Sequence, residues 1–376
     1  MTGRIRSLAW LLLALACAPL HAQNPPPDSP AETTDPRDVN LPMHTLHVYM
    51  DLIQVPVLVL DSERERMKPI DPSKFLVSLD SGPTFRPKRV RQEGDDPITL
   101  GVLIDPNSEP DLMPPLSGAI AALAPQYLHP KDHVTIFAMD CGLLRSVDDA
   151  PVDAEILKKG VDGLLERWFA HRKDKHSATP CEKRVQLWDA MTFAIKKLGE
   201  SPGRRVLLAV TGGADNGSRN RWNDLLHYAQ QKGVAVFGYT LRSAQVSYMR
   251  AIAGRGSYGT VGGGSGITED PFDAICESSG GMIMSADPTF AARQMVKFTE
   301  MVRERYILEF SRPRNDEPGN HSIVVTVPRA SPTAYIRSAG VTILLPDAEL
   351  TGDADTIPRD TTDAPELGKR KVLKPN

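Results

Sequence analysis

Eight consecutive residues, Ile98 to Asp105 (ITLGVLID), constrain the fold of this chain more than any other stretch. The run is apolar without alternation, so a strand made of it must be covered on both faces, and it closes on a carboxylate. Strands of that kind belong to parallel sheets wrapped by helices, where ligands gather outside the carboxyl ends. The segments that follow keep to this pattern. Leu116, Ile120, Leu123 and Tyr127 recur at helical spacing after Pro114 and Pro115, with a kink expected at Pro125. HVTIFAM (His133 to Met139) reads as a strand, Asp153 to Phe169 as a helix, and Leu187, Met191, Ala194, Ile195 and Leu198 as the apolar face of another. RVLLAVT (Arg205 to Thr211) is followed by a helix bearing Trp222, Leu225, Leu226 and Ala229, and then by VAVFGYTL (Val234 to Leu241). Helices around Phe272, Ile275 and Cys276 and around Ala291, Met295, Phe298 and Val302 flank the short strand MIMS (Met282 to Ser285). This alternation predicts an α/β fold with a doubly wound, mostly parallel sheet.

The flanks read as strands instead. His44 to Leu60, Lys74 to Leu79 (KFLVSL) and Thr84 to Arg91 (TFRPKRVR) precede the α/β unit, and Tyr306 to Arg312, Ser322 to Pro328 and Ala334 to Leu345 follow it. Strands on both sides predict a small β-sandwich into which the α/β domain is inserted. The expected boundaries are 43–96 for the N-terminal strands, 97–304 for the α/β domain and 305–346 for the C-terminal strands that pack with 43–96. Residues 23–42, rich in Pro, Asp, Ser and Thr, read as a disordered linker, and 347–376 as a disordered tail.

Residues 1–22 read as a signal peptide, with Arg4 and Arg6 ahead of an apolar stretch from Leu8 to Cys17 that is too short to span a bilayer. Cleavage after Ala22, after Ala18, or before a lipidated Cys17 all fit, and an acyl chain at Cys17 is the one membrane attachment expected. The chain is therefore read as exported: periplasmic, outer-membrane-associated or secreted. A formal net charge of -3 over 376 residues gives no reason for a nucleic-acid partner. Beyond the signal stand Cys141, Cys181 and Cys276, an odd count that suggests one bridge and one thiol in an oxidising compartment. Cys141 and Cys181 fall near the same edge of the expected sheet and form the candidate disulfide, whereas Cys276 sits on an apolar helix face. No CxxC spacing supports a metal.

The strand ending at Asp105, the helix opening Leu187-Trp188-Asp189-Ala190 and the strand and loop VLLAVTGGADNGSR (Val206 to Arg219) together resemble a von Willebrand factor type A domain over Ile98 to Glu304. KFLVSLDSG and YIRSAGVTI resemble the entry and exit strands of an exported bacterial subgroup. The resemblance implies a metal-ion-dependent adhesion site, in which magnesium or manganese is held by an Asp-x-Ser-x-Ser run, a threonine and an aspartate from three loops. Asp105 matches the first aspartate, Asn107 and Glu109 stand at the two serines, Val185 at the threonine and Gly212 at the second aspartate. One ligand of the pattern is intact, and Val185 and Gly212 carry no side-chain oxygen. The site is therefore expected to be degenerate and without a cofactor, with Asp105 accepting hydrogen bonds and Asn107 and Glu109 as surface turn residues. A weak magnesium or manganese site on Asp105, Asn107 and Glu109 is the alternative. Asp215 and Asn216 read as turn formers.

The implied function is that of an adhesion-type or scaffolding module, not an enzyme. It would bind a protein partner in the cell envelope through loops bearing Asp105, Asn107, Glu109, Asp215 and Asn216. An envelope enzyme using Asp105 and Glu109, or a purely structural spacer, are the competing classes. Gly254-x-Gly256-x-x-Gly259 matches a dinucleotide fingerprint in letters but follows a helix, and Ser265 lacks the second glycine of a nucleophile elbow. His171 and His176 lie in a solvated charge run (HRKDKH), and Lys88 to Arg91 reads as an exposed strand face.

Overall fold

The computed structural model describes residues 47–48, 52–94, 96–124, 128–173, 184–241, 270–315, 318–328, 334–343, 345, 356–357 and 361–369. The expected signal peptide and linker, Pro125, Tyr127, His176, Cys181 and the glycine-rich loop with Gly254, Gly256, Gly259 and Ser265 lie outside them.

Four strands come first: β1 (His47–Val48), β2 (Leu52–Leu60), β3 (Leu76–Leu79) and β4 (Arg89–Gln92). The α/β series begins with β5 (Ile98–Ile104), α1 (Met113–Ala121), β6 (His133–Met139), β7 (Leu143–Pro151), α2 (Ala154–Lys173) and α3 (Leu187–Gly199). It continues with β8 (Arg204–Val210), α4 (Trp222–Lys232), β9 (Val234–Thr240), α5 (Pro271–Ser278), β10 (Ile283–Ser285) and α6 (Ala291–Arg303). The chain returns to strands in β11 (Tyr306–Ser311), β12 (Gly319–His321), β13 (Ile323–Thr326), β14 (Tyr335–Ser338), β15 (Val341–Ile343) and β16 (Thr356–Ile357).

The central sheet runs β10-β9-β8-β5-β6-β7, parallel throughout except for β7, which is antiparallel to β6. All seven residues of β5 are buried, as a strand covered on both faces requires. Val102 and Ile104 pack with α1, α2 and α6 on one side, and Leu103 packs with α3, α4 and α5 on the other. Gly101 faces α3, where a Cβ would lie 2.9 Å from the Leu198 side chain, so the missing methyl lets the helix approach closely.

The flanking strands interleave. In the sheet β14-β2-β11-β4, an N-terminal strand lies between two C-terminal ones, and β13 pairs with β3. Val55, Val57, Phe75, Val77, Leu79, Leu308 and Phe310 form the sandwich core. This is the inserted arrangement the sequence predicts, and the α/β domain and the sandwich belong to one compact unit. Buried ion pairs tie them together: Arg305 to Glu93 (2.8 and 2.9 Å) and Arg303 to Asp132, whose carboxylate also accepts the Ile98 N–H at 2.8 Å.

Four expectations need correction. The first helix ends at Ala121, ahead of Pro125, because its last turn closes through short-range bonds such as Ala122 N–H to Ala119 O (3.2 Å). The Thr84 to Arg91 run is a strand only from Arg89, in Arg89–Gln92: Pro87 has no N–H to give a ladder, and Phe85 makes an isolated bridge to Val77. The Ala334 to Leu345 run splits at Ala339-Gly340 into β14 and β15, which join different sheets. Finally, part of the expected disordered tail is ordered: β16 pairs in parallel with β1, and residues 361–369 dock on the sandwich. Ala364 and Leu367 are buried there, Arg314 N–H donates to Pro365 O (2.7 Å), and Leu367 N–H donates to the Asn315 side chain (2.7 Å). Composition hid these two apolar anchors among polar neighbours.

Candidate functional site

Asp105 emerges from β5 at the carboxyl edge of the sheet and is 7% exposed. Its N–H extends the parallel register by donating to Val210 O at 2.9 Å. One carboxylate oxygen accepts the Thr211 hydroxyl at 3.1 Å and the other the Asn107 N–H at 3.3 Å. Ser108 closes the ring: its hydroxyl donates to Asp105 O (3.2 Å), accepts the Gly212 N–H (3.0 Å) and lies 3.3 Å from the Thr211 hydroxyl. The loops after β5 and β8 are thus joined by direct hydrogen bonds. The Asp105 carboxylate accepts the one from Thr211, and the Ser108 hydroxyl accepts the one from Gly212.

Glu109 departs from expectation. It is buried, not a surface turn residue, and one carboxylate oxygen accepts the Thr240 hydroxyl at 2.5 Å and the Leu241 N–H at 3.2 Å. The first loop is thereby tied to the end of β9. Asn107 is exposed, and its side-chain oxygen accepts the Trp168 indole N–H from α2 at 3.2 Å. Val185 packs half-buried against the core on the α3 side, and Gly212 is buried and offers only its backbone.

Asp215 is half-buried and does more than form a turn. Its carboxylate accepts the Trp188 N–H (3.2 Å) in the first turn of α3, where Gln186 provides no side-chain cap, and also the Ser218 N–H and hydroxyl (3.0 and 2.5 Å). Asp189 reciprocates by accepting the Arg219 and Asn220 N–H groups, both at 3.1 Å. Asn216 stands exposed at the tip of this loop. Near the end of β9 stands Tyr239, whose hydroxyl pKa burial pushes up to about 12, leaving it a donor to Gln294 at 2.6 Å.

Ser108, Thr211, Thr240 and Asp189 were not among the residues singled out from sequence. Ser108 and Thr211 each sit one residue from a ligand position of the pattern the chain resembles, and a hydroxyl displaced by one from such a position was the available signal. The residues present do not fit the implied octahedral cation: Glu109 is turned to Thr240, and Val185 and Gly212 contribute no side-chain oxygen. Among the described residues, no group of three or more His, Cys, Asp or Glu is placed to hold a metal.

Cys141, just beyond β6, is disulfide-bonded. Cys181, its expected partner, lies outside the described residues, and Cys276 is a buried thiol on α5. In the basic stretch, Arg91 is drawn into ion pairs with Asp96 (2.8 Å) and Glu309 (3.5 Å), which gives it a structural task.

No protein-family model matches the chain, and no curated protein does. Among solved structures, proximal thread matrix protein 1 of the mussel byssus, with a zinc-occupied MIDAS motif, is similar at 10% identity and TM-score 0.36, over 56% of this chain and 49% of that one. The chain thus spans about half the length of the mussel protein. BatB from Bacteroides thetaiotaomicron is similar at 11% identity and TM-score 0.35, over 55% of this chain and 98% of that one. Manganese-loaded TRAP protein of Plasmodium vivax follows at 13% identity and TM-score 0.32, over 67% and 95%. Likeness at this level carries no argument about function; the type A-like architecture rests on this chain's own strand order and helix layers.

Proposed function

We propose that this chain is an exported binding module that holds a protein partner through the loops at the carboxyl edge of its sheet, without a metal ion. The observation that carries the proposal is the ring of direct hydrogen bonds among Asp105, Ser108, Thr211 and Gly212, which joins loops at the position where the resemblance implies a cation. Loops fixed in this way offer a rigid polar surface for recognition, with exposed Asn107 and Asn216 at its tips. The enzyme reading needs Asp105 and Glu109 to work on one substrate atom. Here each carboxylate serves a different hydroxyl, Thr211 and Thr240 respectively.

A photo-crosslinking residue at Asn216 should capture a discrete partner from an envelope extract, and one at exposed Lys158 on α2 should not. Capture at neither position would favour the spacer, and equal capture at both would remove the carboxyl edge from the argument. Calorimetry with magnesium and manganese should show no binding; micromolar affinity abolished by Asp105→Ala would overturn the metal-free reading. The pairing of Cys141 with Cys181 belongs to the same proposal, since a bridge implies an oxidising compartment. Non-reducing peptide mapping should recover the linked peptides, and a free Cys181 thiol in exported protein would refute it.

A further inference from the structure

The basic stretch Lys88 to Arg91 leads into β4, the end strand of its sheet, and only Arg91 of that stretch has been given a task above. Arg89 stands opposite Glu309, and the Lys88 N–H donates to Glu309 O at 2.8 Å. The short turn Pro72–Lys74 packs beside β4, and Phe85 bridges to Val77, so Lys74, Arg86, Lys88 and Arg89 gather on the two arms of one hairpin. All four are exposed. The carboxylates around them are engaged elsewhere. Asp96 pairs with Arg91 (2.8 Å) and Arg204 (3.4 Å), Glu309 pairs with Arg91 (3.5 Å), and Asp71 accepts the Ser73 N–H and hydroxyl (2.9 and 2.8 Å). Among the described residues, none of the four cations makes an ion pair or stacks on an aromatic ring. Positive charge is thus concentrated at one end of a chain whose formal net charge is -3.

Two further observations bear on what this end meets. β2 and β4 both begin where β11 finishes, since Leu52 pairs with Ser311 and Arg89 with Glu309, and Leu52 is 41% exposed there. An apolar side chain therefore stands at the same end of the sheet as the cations. That end also adjoins the amino edge of the central sheet: Arg204, which opens β8, donates to Gln54 (2.9 Å), and Gln54 donates to Glu309 (3.0 Å). Asp105 and its loops occupy the opposite, carboxyl edge.

We propose that this basic end is a membrane-contacting face, which rests on a bilayer containing anionic phospholipid and turns the carboxyl-edge loops away from it. Each cation held near such a surface strengthens binding by roughly fivefold, and the attraction fades within a Debye length. Leu52 beside the cations suits the boundary between headgroups and acyl chains, a place that a free polyanion would leave unused. The larger cavities of the molecule are lined by other residues than these four cations, so the face matches a layer of headgroups rather than an inserted ligand.

Flotation of the full chain with two kinds of vesicle tests this: phosphatidylcholine alone, and phosphatidylcholine with one-third phosphatidylglycerol. The ratio of the two affinities is what counts, because the apolar stretch Leu8 to Cys17 would favour both vesicles alike. The mixed vesicles should be preferred by on the order of a hundredfold at low salt, and the preference should vanish as salt is raised to about 0.5 M. Lys74→Gln, Arg86→Gln, Lys88→Gln and Arg89→Gln combined should lower the ratio at least about tenfold with Tm unchanged. Arg219→Gln with Arg221→Gln, which takes charge from exposed positions at the carboxyl edge, should leave the ratio as it is. No preference for the mixed vesicles, or an equal fall from the two sets of substitutions, overturns the proposal. So does displacement by inorganic phosphate at the concentration of the lipid phosphate, which would make free phosphate the ligand. Tighter binding to heparin than to the mixed vesicles overturns it too, and would assign the face to a polyanionic chain. The vesicles carry no protein, so the result is read apart from any partner at the carboxyl edge.

Discussion

Removal of the Arg305 guanidinium tests whether the sandwich and the α/β domain stand or fall together. Arg305 and Glu93 are each 1% exposed, joined by hydrogen bonds of 2.8 and 2.9 Å, and they lie at the junction where the chain leaves the sandwich for β5 and re-enters it after α6. Breaking a buried pair from one side costs about 3–5 kcal/mol, because the remaining charge stays buried. Two features reduce that here. Arg204 Nε lies 3.9 Å from Glu93 and keeps part of the compensation. Arg305 Nη1 has no hydrogen-bond partner, so a methionine in its place also removes a buried unsatisfied donor worth about 1–3 kcal/mol. The net expectation for Arg305→Met is a loss of about 2 kcal/mol, or a fall in Tm of roughly 3 °C for a unit that runs from Leu46 to Asn376. Arg305→Met combined with Glu93→Met leaves neither charge of this pair buried and should return most of that loss. Scanning calorimetry and urea unfolding of the two single variants and the double give the coupling directly. Additive losses, with the double variant the least stable, would refute the reasoning. A second transition appearing in Arg305→Met would show that the sandwich can melt alone once the pair is broken.

Two further perturbations probe the ends of the sandwich. In Gly368→Ala a Cβ would lie 2.0 Å from the Asp80 carbonyl oxygen, so residues 361–369 should detach; limited proteolysis should then cut there first, and Tm should fall with the exposure of Leu367, worth about 1.5–3 kcal/mol. Asp80 is partly buried, which raises its pKa, but its bonds to His321 (2.6 Å) and to the Ser322 N–H (2.8 Å) outweigh burial and leave it lowered. The stability from that depressed pKa is present above the ordinary carboxylate value of about 3.9 and disappears as pH falls through the lower folded value. Asp80→Asn, which suits the left-handed backbone at φ 48°, should therefore be less stable at pH 7 and lose part of the acid dependence below about pH 4 in urea titrations. Parallel acid profiles for the two proteins would show that the Asp80 carboxylate is not the group responsible.

The α/β layers were legible because burial and periodicity are local in sequence. Ile98 to Ile104 must be covered on both faces wherever it sits, and Leu187, Met191, Ala194 and Leu198 define a helix face without reference to anything else. The sandwich was legible only as strands. That β2 lies between β11 and β14 depends on pairings between residues some 250 to 280 positions apart in the chain, which no local pattern encodes. The docked tail escaped for a related reason. Ala364 and Leu367 are two apolar residues in a polar stretch, and their burial depends on Asn315 and on the approach of Gly368 to Gly82.

The carboxyl edge divides differently. Position-by-position comparison finds where this chain departs from the pattern it resembles, because a metal ligand must stand at a fixed place in its loop. It does not find which hydrogen bonds join the loops, because a hydrogen bond needs only a donor and an acceptor about 3 Å apart. Ser108 lies between the two substituted serine positions and Thr211 lies one residue before Gly212, yet these hydroxyls connect the loops. Glu109 has turned away to Thr240, which fastens the first loop to a third strand end. A cation would tie such loops reversibly and make the edge responsive to metal concentration. Hydrogen bonds between these loops need no bound ion, so on the proposed metal-free reading recognition at this edge should be constitutive, with partner affinity indifferent to chelators.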